Sequence, residues 1–118
     1  EPRNFTRMAL SPDGRRIALT IAERGNTDIW VADPERRSMT RLTFDPSIES
    51  TPIWSPDGRF VAFRSERQGP GLFVRDAQGA GPIERLTETA GPIHSPYSWT
   101  PDGRSVLLAL FSSFSRQS

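Results

Sequence analysis

The chain has no cysteine, no lysine and a single histidine, His94. Without cysteine it forms no disulfides and no thiolate metal sites. With one histidine, a Ser–His nucleophile pair has one possible base. No apolar run approaches the roughly 20 residues that a membrane-crossing helix needs, so no membrane insertion is expected. All 15 cations are arginine, set against 14 acidic residues for a formal net charge of +1. The two signs are interspersed, and the basic stripe of a nucleic-acid binder is missing; no nucleic-acid partner is expected. No signal-peptide pattern is present, and since the chain opens on Glu1-Pro2 this leaves the compartment open.

Turn formers are plentiful instead, with 9 glycines and 11 prolines in 118 residues. That composition fits many short elements joined by tight turns. One pattern recurs. Ser11-Pro12-Asp13-Gly14-Arg15 returns as Ser55-Pro56-Asp57-Gly58-Arg59 and again as Thr100-Pro101-Asp102-Gly103-Arg104. Its surroundings repeat with it. Leu10, Trp54 and Trp99 precede the motif, and Ile17-Ala18-Leu19, Val61-Ala62-Phe63 and Val106-Leu107-Leu108 follow it. Ile29-Trp30-Val31 matches Leu72-Phe73-Val74, and Arg41-Leu42-Thr43 matches Arg85-Leu86-Thr87. Length differences between copies fall at 25–28 against 69–71 and at 34–38 against 77–81, where loops are expected.

Each copy reads as four short strands, in the second unit about 51–54, 60–65, 72–76 and 83–87. No segment longer than about ten residues keeps helical periodicity uninterrupted by Pro or Gly. Four strands in a repeat of 40–50 residues mark a propeller blade, whose sheet buries both faces only by stacking on neighbours. The expected fold is therefore all-β: β-propeller blades of four antiparallel strands, two complete and half of a third. Within a partial propeller spanning 1–118, blade 1 falls at about 5–43, blade 2 at about 51–87 and the half blade at about 96–111, followed by a tail at 112–118. Trp54 and Trp99, locked to the repeat, are expected between blades. Gly58, ending a tight connection, is expected to tolerate valine far less than Gly79.

The pattern Pro-x-Trp-Ser-Pro-Asp-Gly-Arg-x-x-Ala-Phe followed by Arg-Leu-Thr, best preserved at 51–87, closely resembles the TolB-like, WD40-like (PD40) bacterial propeller repeat. The first copy departs from it at Leu10, where Trp is usual. Asp28-Ile29-Trp30-Val31 and Arg41-Leu42-Thr43-Phe44-Asp45-Pro46 are similar to propellers attached to bacterial receptor-type serine/threonine kinases. Related propellers occur in prolyl-oligopeptidase-like enzymes and in TolB. The resemblance implies a protein-interaction or sensor module, or a gate to an enzyme chamber. It implies a periplasmic or extracytoplasmic setting if the parent is TolB or a kinase sensor, and otherwise a cytoplasmic one.

His94 sits in Gly91-Pro92-Ile93-His94-Ser95-Pro96, read as a loop rather than a base, and no Gly-x-Ser-x-Gly elbow exists. Asp13, Asp57 and Asp102 lack calcium-loop spacing and read as turn residues. Gly79-Ala80-Gly81 lacks the lysine of a phosphate-binding loop. Arg64-Ser65-Glu66-Arg67 and Ala22-Glu23-Arg24 read as salt-bridged blade edges. Asn4-Phe5-Thr6 matches a glycosylation sequon by composition alone. No catalytic, cofactor-binding or metal residues are expected, no cofactor, and no enzyme activity. The function expected is a non-catalytic scaffold; the alternative is the regulatory propeller of a larger enzyme, a receptor kinase or a peptidase. Rings hold about 4–8 blades, so the expected partner is the chain itself, a homo-oligomer with blades from several copies stacked into a propeller-like ring through exposed blade faces and strand edges, with another protein or peptide as a further candidate. The second strand of the half blade, 106–111, is expected to leave an unpaired edge, with the tail near a subunit junction.

Overall fold

The computed structural model describes residues 4–44, 48–66, 71–87, 96–108 and 113–115. Eleven strands are present among them: β1 (Asn4–Leu10), β2 (Ile17–Glu23), β3 (Asn26–Asp33), β4 (Ser38–Arg41), β5 (Glu49–Trp54), β6 (Phe60–Ser65), β7 (Gly71–Asp76), β8 (Glu84–Arg85), β9 (Pro96–Trp99), β10 (Ser105–Leu108) and β11 (Ser113–Ser115). They form three antiparallel sheets, β1-β2-β3-β4, β5-β6-β7-β8 and β9-β10-β11, each a meander in chain order. The fold is a series of β-propeller blades.

The central strands show why the sheets must stack. In β2 the run Ala18 to Ile21 is buried at every position, and in β6 so is Val61 to Phe63. In β6 alternation disappears because a neighbouring sheet covers each face, whereas the outer β4 carries exposed Ser38 and Met39. Between the first and second sheets lie Ala18, Ile29, Val31 and Leu42 on one side and Trp54, Val61, Phe63 and Phe73 on the other. Between the second and third lie Ala62, Leu72 and Val74 against Trp99. Successive residues thus alternate between seams: Phe63 points back to the first sheet and Ala62 forward to the third.

Sequence and structure differ in the third unit. Its second strand, β10, was expected to leave an edge open, but β10 pairs with β9 on one side and with β11 on the other. Residues 113–115, expected in a tail, form that third strand. Alternating Ser and Phe in a three-residue stretch carries no strand signal strong enough to read without its partner.

A second feature was not legible. Each inner strand bulges against its neighbour, between Phe5 and Arg7 in β1, between Ser50 and Ile53 in β5, and opposite the Leu107–Leu108 step of β10 in β9. A bulge adds a residue and sharpens local twist. In β5 it holds Thr51 at φ +54°, a left-handed conformation that a β-branched residue resists by about 1–2 kcal/mol. Thr51→Gly is therefore expected to raise the melting temperature slightly, the relieved strain exceeding the roughly 0.5–1 kcal/mol entropic penalty of glycine. A lowered melting temperature would show that the threonine side chain holds the bulge.

Candidate functional site

The repeated Ser-Pro-Asp-Gly turn is built identically three times. In the second copy the Gly58 N–H donates to the Ser55 carbonyl (2.9 Å). The Ser55 hydroxyl donates to Asp57 Oδ1 (2.7 Å) while accepting the Phe60 N–H (3.0 Å), and the Arg59 N–H donates to the same Asp57 oxygen (3.0 Å). Ser11, Asp13 and Arg15 repeat this at 2.6 and 3.0 Å, and Thr100, Asp102 and Arg104 at 2.7 and 3.0 Å. Each carboxylate is occupied in closing its own turn. The hydroxyl bond first, and the arginine N–H second, hold Asp13, Asp57 and Asp102 below the ordinary carboxylate value of 3.8.

These depressed values set an acid limit. The charged form is favoured in the folded chain, so the stabilisation is fully present above the unfolded value near 4. It is lost as pH falls below that value through the folded one. The melting temperature is expected to be flat on this account from neutral pH to about 5 and to drop below about 4. Asp57→Asn is expected to lower the neutral-pH plateau and flatten the acid limb, readable in melts at pH 7 and pH 3.

The glycines of the turns answer the Gly58 expectation with a correction. Gly58 has φ +74° and Gly79 has φ +83°, both left-handed, and an added Cβ would meet Arg16 Nη2 at 3.2 Å in one case and Thr40 Cγ2 at 3.3 Å in the other. The 77–82 turn varies in length between copies but packs against the first sheet, so the contrast between the two positions shrinks.

Trp54 and Trp99 lie between sheets and do more there than fill space. The Trp54 indole N–H donates to the Ala9 carbonyl of β1 (2.7 Å), and the Trp99 indole N–H donates to the Ile53 carbonyl of β5 (3.2 Å). Each tryptophan bonds the inner strand of the preceding sheet. Two arginines clamp the first seam as well. Arg16 donates to the Gly58 carbonyl (2.7 Å) with its guanidinium 4.9 Å from the Trp54 ring centroid. Arg75 reaches back to the Leu42 carbonyl (2.8 Å) while also bonding the Gly79 and Gly81 carbonyls. Sequence reasoning missed both arginines, because their partners are backbone carbonyls about 33 and 42 residues away.

The Arg-Leu-Thr motif has a structural task. Thr43 Oγ1 accepts the Ile29 N–H and donates to Asp28 Oδ1, each at 3.0 Å, and Arg41 pairs with the other oxygen of the buried Asp28. In the second unit Thr87 Oγ1 accepts the Leu72 N–H at 3.0 Å. Gly71 takes the place of Asp28, and an added Cβ there would lie 2.5 Å from Arg85 Nη1 and 2.6 Å from Thr87 Oγ1.

Of the charged edges read from sequence, Arg64 and Glu66 form an ion pair at 3.0 Å, and Arg64 Nε is buried without a partner among the described residues. Arg24 sits in the two-residue turn joining β2 and β3 at φ +54°, beside Gly25 at φ +85°. His94 and Arg67 lie outside the described residues. Among the described residues no three His, Cys, Asp or Glu groups are placed to hold a metal ion. Among the described residues no helix is long and apolar enough to cross a membrane.

Two surfaces remain as candidates. One is a cleft of about 390 Å³ at the turn end of the first seam, floored by Val31 and Ala77 and rimmed by Arg15, Arg36, Asp33 and Glu35. Its charges balance and prefer neither sign of ligand. The other is the face of the first sheet turned away from the second. Met8 and Leu10 stand out on β1 and Met39 on β4, and all three are exposed. Pairing of Met8 with Leu19, of Leu10 with Ile17 and of Ala32 with Met39 puts these side chains on one face.

Serial four-stranded blades joined by repeated turns define a β-propeller module. The model of the TolB beta propeller domain family matches residues 4–115, and the chain belongs to that family. It is 30% identical over 108 residues to an uncharacterized peptidase of Bacillus subtilis, covering 85% of this chain and 16% of that protein. It is 43% identical over 52 residues to the Tol-Pal system protein TolB of Anaeromyxobacter dehalogenans, covering 44% of this chain and 12% of that protein. The crystal structure of TolB from Acinetobacter baumannii superimposes with a TM-score of 0.71 at 30% identity, over 86% of this chain and 25% of that one. The chain therefore spans less than a fifth of the curated relatives it matches here.

Proposed function

We propose that the chain is a non-catalytic binding scaffold whose propeller blades associate with further blades and present their loops to a protein or peptide. The observation that supports this reading most is the disposition of the repeated polar side chains. Asp13, Asp57 and Asp102 close turns, Asp28 and Thr43 close a strand junction, and Arg16 and Arg75 close a seam. Their hydrogen-bonding groups serve the fold, and what remains outward is an apolar blade face. The purified chain is expected to show no turnover on ester or peptide substrates. Hydrolysis above a buffer blank that vanishes in a His94→Ala variant would overturn the reading.

A second reading has one observation in its favour, the similarity to a peptidase of which this chain matches 16%. Under it, the chain is the regulatory propeller of a larger enzyme, a peptidase or a receptor kinase. Sequencing the gene on both sides of these 118 residues decides it. A hydrolase or kinase domain in frame supports the second reading, and a frame holding propeller repeats alone removes it.

A further inference from the structure

We infer that the Asp-Gly steps at 13–14, 57–58 and 102–103 are latent sites of isoaspartate formation, that the closed turn holds each of them shut, and that Asp102-Gly103 yields to this modification before Asp57-Gly58.

The sequence sets the chemistry. Pro-Asp-Gly-Arg stands at 12–15, 56–59 and 101–104. In an open chain the backbone nitrogen of glycine, unshielded by any side chain, attacks Cγ of the aspartate before it. The new Cγ–N bond closes a five-membered succinimide, and the carboxyl OH leaves as water with the amide proton. One water then reopens the ring. Cleavage of the Cγ–N bond restores aspartate. Cleavage of the bond between that nitrogen and the aspartate's own carbonyl carbon leaves the main chain running through Cβ and Cγ, an isoaspartate with a free α-carboxylate. The three sites share their neighbours on both sides, so their intrinsic reactivity is the same and a difference between them measures the fold.

The turn opposes each step. The Gly14, Gly58 and Gly103 N–H groups donate to the Ser11, Ser55 and Thr100 carbonyls at 2.9 Å, so the proton that has to leave is held. The carboxylate is held as well. Its Oδ1 accepts the hydroxyl of Ser11, Ser55 or Thr100 and the N–H of Arg15, Arg59 or Arg104, which fixes Cγ against rotation toward the glycine nitrogen. The hydroxyl bond foremost, and the arginine N–H after it, favour the ionised carboxylate, whereas the ring closes from the neutral acid. Asp13, Asp57 and Asp102 are all exposed, so these hydrogen bonds restrain the reaction and burial does not.

The second and third turns are not held equally. Arg16 donates to the Gly58 carbonyl at 2.7 Å and ties the second turn to the first sheet. The repeat-equivalent of Arg16 in the second sheet is Phe60, whose side chain has no donor to offer the Gly103 carbonyl. The Thr100 hydroxyl also accepts the Ser105 N–H at 3.2 Å, where Ser55 accepts the Phe60 N–H at 3.0 Å. Local opening of a turn is ordinarily reversible. Conversion makes it permanent, because the main chain gains a methylene and the side-chain carboxylate is taken away from its hydroxyl partner.

Trypsin cuts this lysine-free chain after arginine and places the three sites in separate peptides, 8–15, 42–59 and 86–104. Isoaspartate in each is counted by chromatography and electron-transfer fragmentation after incubating the full chain at neutral pH, with and without urea. Equal rates at the three sites are expected in urea. In the folded chain every site is expected to slow by about tenfold or more, as for a turn open less than about a tenth of the time. Asp102 is expected to convert about five times faster than Asp57 there, the population difference that one hydrogen bond produces. Arg16→Ala is expected to raise the Asp57 rate by about fivefold and to leave Asp102 unchanged, and Ser55→Ala is expected to raise Asp57 alone. Folded-state rates that match those in urea overturn the inference, and so does Asp57 converting as fast as Asp102 in the unsubstituted chain. It is also overturned if both variants leave Asp57 unchanged, or if both raise all three sites equally, since unfolding of the whole chain rather than opening of one turn would then set the rate.

Discussion

Phe63→Ala is expected to remove about 3–5 kcal/mol of stability, the range for truncating a fully buried phenylalanine to alanine. Phe63 is completely buried at the centre of the seam between the first two sheets and stacks on Phe73, with ring centroids 6.1 Å apart at 19°. Its loss opens a cavity between two sheets that the Arg16 and Arg75 clamps hold at fixed spacing, so the walls have little freedom to collapse. Small domains have about 5–15 kcal/mol in total, so the variant sits at the edge of unfolding at room temperature. Urea denaturation followed by circular dichroism measures the loss. A midpoint shift worth less than about 1 kcal/mol, at unchanged slope, would show that the seam closes over the gap. The neighbouring Ala62, which points into the other seam, supplies a contrast. Ala62→Phe is expected to destabilise by overpacking against Trp99, by about 1–3 kcal/mol.

The second large effect is expected at Arg41. Arg41→Met leaves the buried carboxylate of Asp28 with Thr43 as its remaining side-chain partner among the described contacts. Removing one member of a buried ion pair costs about 3–5 kcal/mol, chiefly because the surviving charge is stranded. The partial exposure of the Arg41 side chain, against an almost fully buried Asp28, puts this case at the low end. The double variant Arg41→Met with Asp28→Asn is expected to lose less than the sum of the two single variants. Its neutral amide accepts from Thr43 without a stranded charge, and a double-mutant cycle measures the coupling. Strict additivity would mean that the pair contributes nothing as a pair. The second unit already dispenses with the carboxylate, having Gly71 in its place.

The candidate surface was legible in part. Trp54 and Trp99 declared an inter-blade position by recurring at a fixed offset from the turn motif. Leu10 declared the exception by breaking the pattern at the first copy. The exposure of that face required coordinates, because whether a repeat is covered depends on its neighbours rather than on its own residues. The strand edge expected at 106–111 is, over Ser105–Leu107, paired with 113–115.

By itself, the sequence determined the all-strand class, the repeat register, the placement of the tight turns and the chemistry of their aspartates. Those properties are local. A four-residue turn is set by Pro, Asp and Gly within its own span, and strand alternation by adjacent side chains. Tertiary structure alone decided the inner-strand bulges with Thr51 left-handed, the third strand at 113–115, and the reach of Arg16 and Arg75 across the seam to backbone carbonyls. It also decided that the indoles of Trp54 and Trp99 bond the preceding sheet. All of these satisfy polar groups or twist requirements that exist only once sheets pair and stack. A backbone carbonyl has no residue identity, so no pattern in the sequence marks the one that an arginine or an indole will find.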